Sequence, residues 1–327
     1  MHELGDKTIF ITGGTGLIGQ TLIRRILTES PTAQILALTR NTDRAKALFQ
    51  GVPENERIQW IEGDVCTPLT INGDIDYIVH GAAETSSKSF VNDPVRVIDT
   101  AITGTANMLK LAVKHSVKKL VYLSTMEVYG APADDEKIDE KHGCDLDTMQ
   151  ARSSYPESKR LCETLCAAYA AQHDVPACVL RLTQTFGPGV RYDDSRVFAE
   201  FARCAIEGRD IILHTKGETA RNYLYTEDAA SAILTVLLHG SVSEAYNAAN
   251  ESTYCTILEM AELVARECAD NRISVRIEEA DTTAYGYAPV LHMNLDTSKL
   301  RALGWEPKIP LPEMFRNMIA GMTGAGH

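Results

Sequence analysis

The chain has 327 residues, with 32 basic and 44 acidic side chains and a formal net charge of −12. This length suits two domains, or one large α/β unit with an appendage. A hydrophobic content of 44% with 23% charged residues excludes intrinsic disorder. The acidic balance argues against a sequence-independent grip on nucleic acid, and no apolar run approaches the ~20 residues that span a bilayer.

The N-terminal segment and the cysteines favour a cytoplasmic protein. Residues 1–7 lead directly into a strand-like segment, without the basic and then apolar regions of a signal peptide. Eight cysteines are scattered along the chain without a CxxC pair or further ligands at zinc-site spacing. We therefore expect reduced cysteines that serve as small core residues, and no bound metal.

Short apolar strands alternate with helical segments through the first half of the chain. The predicted strands are Lys7–Thr12, Gln34–Thr39, Ile58–Ile61, Ile75–His80, Lys119–Ser124 and Ala177–Leu182. The predicted helices between them are Leu17–Thr28, Val95–His115 and Pro156–Gln172. This alternation is typical of a doubly wound (Rossmann) α/β fold, in which helices cover both faces of a mainly parallel sheet.

After about residue 182 the alternation weakens. The later predicted elements are a loop at Gly187–Asp194, helices at Arg196–Glu207, Thr226–Leu238 and Thr256–Cys268, and an extended Pro307–Pro312 before a last short helix. We therefore predict a dinucleotide-binding domain over residues 1–182, with a return segment near 222–250. Most of residues 183–327 would form a smaller C-terminal α/β substrate-binding domain, with the site in the cleft between the two.

A glycine-rich turn separates the first strand from the first helix. Gly13 permits a tight turn, Gly16 lets a pyrophosphate approach the backbone, and Gly19 lets the helix pack closely on the strand. The helix N-terminus adds N–H donors and a partial positive charge. The turn therefore predicts a nucleotide cofactor. The contacts expected from this segment are Gly13, Thr15, Gly16, Leu17, Ile18 and Gly19.

The residues after the second and third strands bear on which dinucleotide binds. The acidic side chain expected ~20 positions on, to bind the ribose 2′-hydroxyl, is absent, and Arg40 stands there instead. Arginine suits a 2′-phosphate, so NADP and NAD both stay open. After the third strand, Asp64 is predicted to accept a hydrogen bond from the adenine amino group, with Val65 beside it. The alternative for Asp64 is a helix cap.

Tyr155 and Lys159 lie four residues apart at the start of a helix, so their side chains share one face. Ser154 and Glu157 are predicted to form a capping box there. A nearby ammonium stabilises a phenolate, which predicts a lowered pKa for Tyr155. The segment Ser124–Gly130 follows a strand directly, at the edge where doubly wound sheets bind ligands, and a hydroxyl there can hold a substrate oxygen beside Tyr155.

Together these motifs resemble an extended short-chain dehydrogenase/reductase of the nucleotide-sugar epimerase/dehydratase family. The segments TGGTGLIG, GDV, HGAA, STMEVYG, YPESK, LRLTQTFGPG and ARNYLYTEDAA stand in the family's order over nearly the whole chain. The resemblance implies tightly bound NAD or NADP, with Ala82 beside it, and a nucleotide-diphosphate sugar as substrate. It also implies a homodimer formed by the helices Val95–His115 and Pro156–Gln172, with internal packing of these helices as the alternative.

The same resemblance implies roles for individual side chains. Thr125 would bond the sugar C4 oxygen, and Tyr155 would take the C4 hydroxyl proton as hydride leaves C4 for the nicotinamide. Lys159 would hold the nicotinamide ribose and lower the pKa of Tyr155. Arg221 would clamp the diphosphate.

Two departures and one carboxylate bear on the outcome of the reaction. Gln184, an implied substrate contact, and Ala101 stand where the family usually has asparagine, which leaves the substrate open. Glu127 aligns with the glutamate that removes the C5 proton in 4,6-dehydratases of the family. The alternative interpretation is a structural carboxylate that accepts hydrogen bonds from nearby backbone N–H groups. Met126 stands where dTDP-glucose-type dehydratases have a proton-donating aspartate, and methionine cannot donate a proton.

The loop Gly187–Val197 also resembles UDP-glucuronate decarboxylases. Asp194 and Arg196 match, which makes Arg196 a further implied substrate contact and leaves decarboxylation open. A decarboxylase needs a cation for the substrate carboxylate, and Arg191 or Lys88 is the candidate.

Two other classes of protein are alternatives. An NADPH-dependent carbonyl reductase of the same superfamily is favoured by Arg40, whereas Arg221 and the Thr125–Glu127 arrangement favour the nucleotide-sugar enzyme. A dinucleotide sensor without activity would lack the Thr–Tyr–Lys set, which is intact here.

Overall fold

The computed structural model describes residues 4–279 and 290–324. Residues 1–3, part of the segment inspected for a signal peptide, lie outside the described residues, as do 280–289 and 325–327 of the predicted substrate-binding domain. In the described ranges no helix combines the length and the apolar character needed to cross a bilayer. No group of three or more His, Cys, Asp or Glu side chains in these ranges is placed to hold a metal ion.

Strands and helices alternate up to residue 182, with two exceptions. The strands are β1 (Thr8–Thr12), β2 (Gln34–Thr39), β3 (Ile58–Glu62), β4 (Tyr77–His80), β5 (Lys119–Thr125), β6 (Ala177–Leu182), β7 (Gln184–Phe186), β8 (Ile211–Leu213), β9 (Ala220–Tyr225), β10 (Ala245–Ala248), β11 (Asn250–Thr256), β12 (Val275–Ile277) and β13 (His292–Met293). The helices are α1 (Leu17–Glu29), α2 (Thr42–Leu48), α3 (Ser87–Asn92), α4 (Pro94–His115), α5 (Ser154–His173), α6 (Val197–Glu207), α7 (Thr226–His239), α8 (Ile257–Glu267), α9 (Ser298–Arg301) and α10 (Leu311–Thr323). The exceptions are that β4 follows β3 without a helix between them and that α4 follows α3 directly.

A seven-stranded parallel sheet carries the site. Its order is β10-β6-β5-β4-β1-β2-β3, and every neighbouring pair is parallel. The chain runs outward in both directions from β1, so the order reverses between β1 and β4. Loops diverge at the carboxyl ends of the strands at such a point and leave a crevice for a ligand.

Both faces of this sheet are buried, as β1 illustrates. Ile9 and Ile11 belong to a core cluster shared with α1 and α7, whereas Phe10 belongs to a second cluster shared with α4 and α5. Successive strand residues point to opposite faces, and all three side chains are fully buried. The prediction of a doubly wound Rossmann fold is confirmed.

A smaller α/β unit follows the large sheet. β9 pairs with β11, β13 and β7, and β8 pairs with β12. Its core is aromatic, since Phe186 stacks on Phe198 at 4.5 Å and lies 5.0 Å from Phe315 between ring centroids. The predicted boundary at residue 182, and the return segment near 222–250 in which α7 and β10 lie, stay predictions about domain organisation.

The capping box predicted at Ser154 and Glu157 is wrong. No side chain of the described chain caps α5, and the Ser154 hydroxyl instead donates to the backbone oxygen of Phe90 at 3.3 Å. A capping box does form at α8, where Thr256 and Glu259 exchange side-chain and backbone bonds. The sequence pattern alone did not separate these two sites.

Candidate active site

A cleft of about 1320 Å³ opens at the carboxyl ends of the sheet strands. Most of the predicted site residues line it. They are Gly13, Thr15, Gly16, Leu17, Ile18, Gly19, Arg40, Asp64, Val65, Ala82, Thr125, Glu127, Tyr155, Lys159, Gln184 and Arg196. Residues far apart in the chain therefore share one solvent-accessible space.

The glycine turn forms one wall of the cleft. Gly13 has a φ of +78°, and a Cβ there would lie 2.8 Å from the backbone of Gly81. A Cβ on Gly19 would overlap the carbonyl oxygen of Gly13. No side chain of the described residues caps α1, whose N-cap is Gly16, so its first N–H groups face the cleft. This cradle fits a dinucleotide pyrophosphate.

The β3 and β4 ends contribute the next contacts. The Asp64 carboxylate accepts the backbone N–H of Cys66 at 2.8 Å through Oδ1 and also bonds the Cys66 thiol. The contact of Asp64 with an adenine amino group stays a prediction. Ala82 donates its backbone N–H to the Thr12 hydroxyl at 3.1 Å. The Ala82 side of the cleft is thus fixed to β1, the strand that precedes the glycine turn.

His80, at the end of β4, contacts two threonine hydroxyls next to this region. Thr12 Oγ1 lies 2.7 Å from His80 Nδ1, and Thr105 Oγ1 lies 3.2 Å from His80 Nε2. Burial, and then the charge of Lys159, lowers the pKa of His80 to about 3. A neutral imidazole has one donor and one acceptor nitrogen, so it can satisfy both threonine hydroxyls, which fits a packing role for His80.

Tyr155 lies at the centre of the cleft and is only 9% exposed. Its ring stacks on Phe90 with a centroid distance of 4.2 Å and an angle of 10°. Burial and the charge of Glu127 raise the pKa of Tyr155, whereas its hydrogen bond with Thr125 and the charge of Arg152 lower it. The Thr125 oxygen also accepts the Glu127 N–H at 3.3 Å, which leaves its own proton for Tyr155.

Lys159 is almost fully buried, with 4% exposure. Its Nζ donates to the Leu123 carbonyl at 2.7 Å and lies 4.7 Å above the Tyr122 ring. Burial lowers the pKa of Lys159 to about 8, partly offset by Cys162 and Glu163. The prediction that Lys159 lowers the pKa of Tyr155 is therefore wrong for this structure, because burial dominates at Tyr155 and the ammonium is bonded to Leu123.

Glu127 faces the same space and is paired. Arg152 donates to its carboxylate at 2.7 Å, and the Arg152 guanidinium lies 4.9 Å from the centre of the Phe90 ring. Arg152, Phe90 and Tyr155 thus form a continuous stack, of which Phe90 and Tyr155 line the cleft. The Glu127 carboxylate accepts a charged side chain here and not the backbone N–H groups of its structural alternative.

Behind Tyr155 and Lys159, Glu163 joins α5 to the sheet. It accepts from the Ser124 hydroxyl at 2.5 Å and from the Arg181 guanidinium at 2.6 Å. Glu163 lies one helical turn after Lys159, and Ser124 immediately precedes Thr125. This contact sets the register between the helix that carries Tyr155 and the strand that carries Thr125.

The predicted substrate contacts differ in their placement. Gln184 has a buried Oε1 with no hydrogen-bond partner in residues 4–279 and 290–324, which fits a site completed by a ligand. Arg196 pairs with Asp194 at 2.6 Å at the cleft edge. Arg221 lies on β9, outside the cleft lining, and its buried Nε has no hydrogen-bond partner within the described ranges. Its clamp on a diphosphate stays a prediction.

Comparison with known proteins identifies the family. The sequence model of the NAD dependent epimerase/dehydratase family matches residues 9–249. The chain belongs to this family. Similar members include UDP-glucuronic acid decarboxylase 1 of Xenopus tropicalis, 30% identical over 98% of this chain and 73% of that protein. UDP-glucuronic acid decarboxylase 3 of Arabidopsis thaliana is 31% identical over 94% of this chain and 86% of that protein.

Solved structures share the epimerase/dehydratase fold. A UDP-N-acetylglucosamine 4-epimerase from Methanobrevibacter ruminantium superimposes with a TM-score of 0.83 at 19% identity, covering 98% of this chain and 99% of that one. A dTDP-glucose 4,6-dehydratase from Bacillus anthracis, solved with NAD, gives 0.77 at 23% identity, covering 97% of each chain. At these identities the likeness establishes the fold.

Sequence reasoning missed two side chains of this family member's site. Arg152 lies one helical turn before Tyr155, so its spacing was a usable signal. Phe90 carried no such signal, because its ring meets Tyr155 only through tertiary packing. Of the cations considered from sequence, Arg191 lines the cleft and pairs with Asp193 at 2.5 Å, whereas Lys88 does not line the cleft. Arg152 also lies outside the cleft lining and pairs with Glu127.

Proposed function

We propose that this protein oxidises the C4 hydroxyl of a UDP-linked sugar and then processes the 4-keto sugar at C5. One observation carries the proposal. Thr125, Glu127, Tyr155 and Lys159 line the same cleft as the glycine turn. The names of the curated relatives, which are UDP-glucuronic acid decarboxylases, support a UDP-sugar in particular.

Each side chain has a defined task. When bound, the dinucleotide supplies an acceptor for the hydride that leaves C4. Tyr155 takes the C4 hydroxyl proton, and Thr125 donates its own hydroxyl proton to the C4 oxygen in place of the phenol, which holds that oxygen in line. Lys159 would hold the nicotinamide ribose, and its ammonium lies 5.9 Å from the centre of the Tyr155 ring. Glu127 takes or returns a proton at C5, which a neighbouring C4 ketone acidifies.

Decarboxylation of a UDP-hexuronic acid is the second candidate, and the Glu127–Arg152 pair favours it. A 4-keto uronate is a β-keto acid, so the bond from C5 to the carboxylate breaks, carbon dioxide leaves and the electron pair moves to the C4 oxygen. A proton then returns to C5. Arg152 supplies the cation that binds the substrate carboxylate before it leaves.

The test combines bound cofactor and product mass. The purified protein is denatured and its released dinucleotide identified, and the native protein is incubated with UDP-, dTDP-, CDP- and GDP-sugars. We expect a retained dinucleotide and conversion of a UDP-sugar. Loss of carbon dioxide from the product would indicate decarboxylation, loss of water would indicate dehydration, and an unchanged mass would indicate epimerisation. Stoichiometric consumption of NADPH with a carbonyl compound that carries no nucleotide would overturn the proposal in favour of the reductase.

Glu127→Gln is expected to stop exchange at C5 and to spare C4 oxidation. The amide keeps the shape of the carboxylate but cannot take a proton, so deuterium incorporation at C5 from heavy water should fall by about 100-fold or more. Glu157→Gln is the matched control, because Glu157 pairs with Arg160 outside the cleft lining. Undiminished C5 exchange in Glu127→Gln would remove Glu127 from the mechanism.

We also propose that the protein is a cytoplasmic homodimer, in which α4 and α5 of one protomer pack against α4 and α5 of the other. α4 and α5 pack side by side, and the surface of this helix pair exposes Ile98 by 37% and Leu161 by 46%. All eight cysteines are free, which supports a reducing compartment.

A charge on that face should prevent dimerisation. Ile98→Asp is expected to halve the mass measured by light scattering after size-exclusion chromatography, since a buried unpaired carboxylate opposes association. Val242→Asp places the same charge at another exposed position and should leave the mass unchanged. A wild-type protein that elutes as a monomer would refute the dimer.

A further inference from the structure

The end of the cleft beside β2 is chemically distinct from the end that carries Tyr155. β2 lies three strands from β5 in the sheet, a separation of about 14 Å at the usual strand spacing. Its last residue, Thr39, leads into a turn through Arg40 and Asn41 to α2. In a doubly wound sheet this turn faces the adenosine ribose of a dinucleotide bound at the glycine turn.

The hydrogen-bonding side chains of this turn are already engaged. Thr39 Oγ1 accepts the Asn41 N–H at 3.2 Å and donates to the Asn41 carbonyl at 3.1 Å. Asn41 Oδ1 accepts the Arg44 N–H at 2.8 Å. These bonds fix the turn, and each of the two side-chain oxygens already accepts one backbone N–H.

The nearby carboxylates do not supply that acceptor either. Glu62, the register partner of Thr39 on β3, and Asp43, in the first turn of α2, are both absent from the cleft lining. Asp64 lines the cleft and holds the Cys66 N–H through one oxygen. A 2′-hydroxyl donor therefore meets no carboxylate at the end of β2.

Two guanidinium groups face this space instead. Arg40 and Arg44 are exposed and line the cleft together. Across the described ranges no carboxylate lies within ion-pair distance of either. Two unneutralised arginines at a dinucleotide site match a doubly charged phosphate, which guanidinium groups bind through paired N–H donors.

We propose that Arg40 and Arg44 bind a phosphate on the 2′-oxygen of the adenosine ribose, so that this family member selects NADP over NAD. The inference rests on the proposed dinucleotide site. It concerns only which dinucleotide fills that site. It is compatible with a hydride that returns to the sugar and with one that leaves on a released cofactor. The turnover and cofactor-retention test above decides between these two separately.

Isothermal titration calorimetry measures the selection directly, without any turnover. Wild-type protein freed of bound nucleotide is titrated with NADP+ and NAD+, and with the fragments 2′,5′-ADP and 5′-AMP, which differ only in the 2′-phosphate. We expect NADP+ and 2′,5′-ADP to bind at least about tenfold more tightly than their partners without that phosphate. The nucleotide released from freshly purified protein, identified by mass, should be NADP.

Substitution of both arginines assigns the effect to them. Arg40→Ala/Arg44→Ala should weaken NADP+ binding by about 30-fold or more and leave NAD+ binding within about threefold. Lys46→Ala is the matched control, since Lys46 is an exposed cation on α2 that does not line the cleft.

Three results would overturn the proposal. Equal or tighter binding of NAD+ by the wild type would refute the selection while leaving the dinucleotide site intact. Preference for NADP+ that survives the double substitution would refute the role of the two arginines. Binding of neither dinucleotide would overturn the proposed function together with this inference.

Discussion

Tyr155→Phe is expected to lower turnover of the UDP-sugar by about 10³-fold, because it removes the group that takes the C4 proton. The substitution keeps the ring that stacks on Phe90 at 4.2 Å, so the packing of the cleft survives. It deletes the phenol oxygen and its hydrogen bond with Thr125. Binding of the dinucleotide and of the UDP-sugar should stay within about threefold of wild type.

The measurement compares kcat with binding affinities for wild type and variant. Tyr169→Phe is the matched control, because Tyr169 lies on the same helix and contacts His173 outside the cleft. It should retain wild-type turnover. A Tyr155→Phe enzyme with kcat within about tenfold of wild type would mean that another group takes the proton.

Lys159→Met is expected to abolish turnover and, at neutral pH, to make the cofactor-free protein more stable. Burial lowers the pKa of Lys159 from its ordinary 10.5 to about 8. The unfolded chain therefore binds the proton more tightly than the folded one, which costs stability at pH values below 8. Removing the buried charge gains about 2 kcal/mol there, after the lost bond to the Leu123 carbonyl is counted.

The sign of the pH dependence follows. The loss of stability caused by burying the charged Lys159 is largest below pH 8 and disappears as the pH rises towards 10.5. The difference in free energy of unfolding between variant and wild type should thus be largest at about pH 7 and smaller at about pH 9.5. Lys114→Met, near the end of α4, is the control and should show no such trend. A destabilised Lys159→Met protein at neutral pH would show that burial of this charge is not costly.

The large sheet could be predicted because its strands are short apolar runs between helices. Ile9, Phe10 and Ile11 are buried on both faces of the sheet. The strand therefore appears in the sequence as a continuous apolar run, without alternating polar residues. The short strands β8 and β12 were not predicted. Each has three residues, and only their mutual pairing defines them as strands.

The site could be predicted in part, since motif spacing identifies residues but not their surroundings. Tyr155 and Lys159 were found from their spacing at a helix start, and Thr125 from the family resemblance of the segment at a strand end. The raised pKa of Tyr155 was not, because it depends on burial that the sequence does not display. The pairing of Glu127 with Arg152 joins two segments that only the fold brings together.

The most direct test follows hydrogen from C4 in the Glu127→Gln variant with a UDP-sugar deuterated at that carbon. If Tyr155, Thr125 and Lys159 act together on C4, the deuterium will be recovered on the reduced dinucleotide in a single turnover, and its appearance will be slower than that of hydrogen. Adding Tyr155→Phe to the variant should abolish this transfer. A dinucleotide that stays oxidised and free of deuterium while product forms would contradict oxidation at C4.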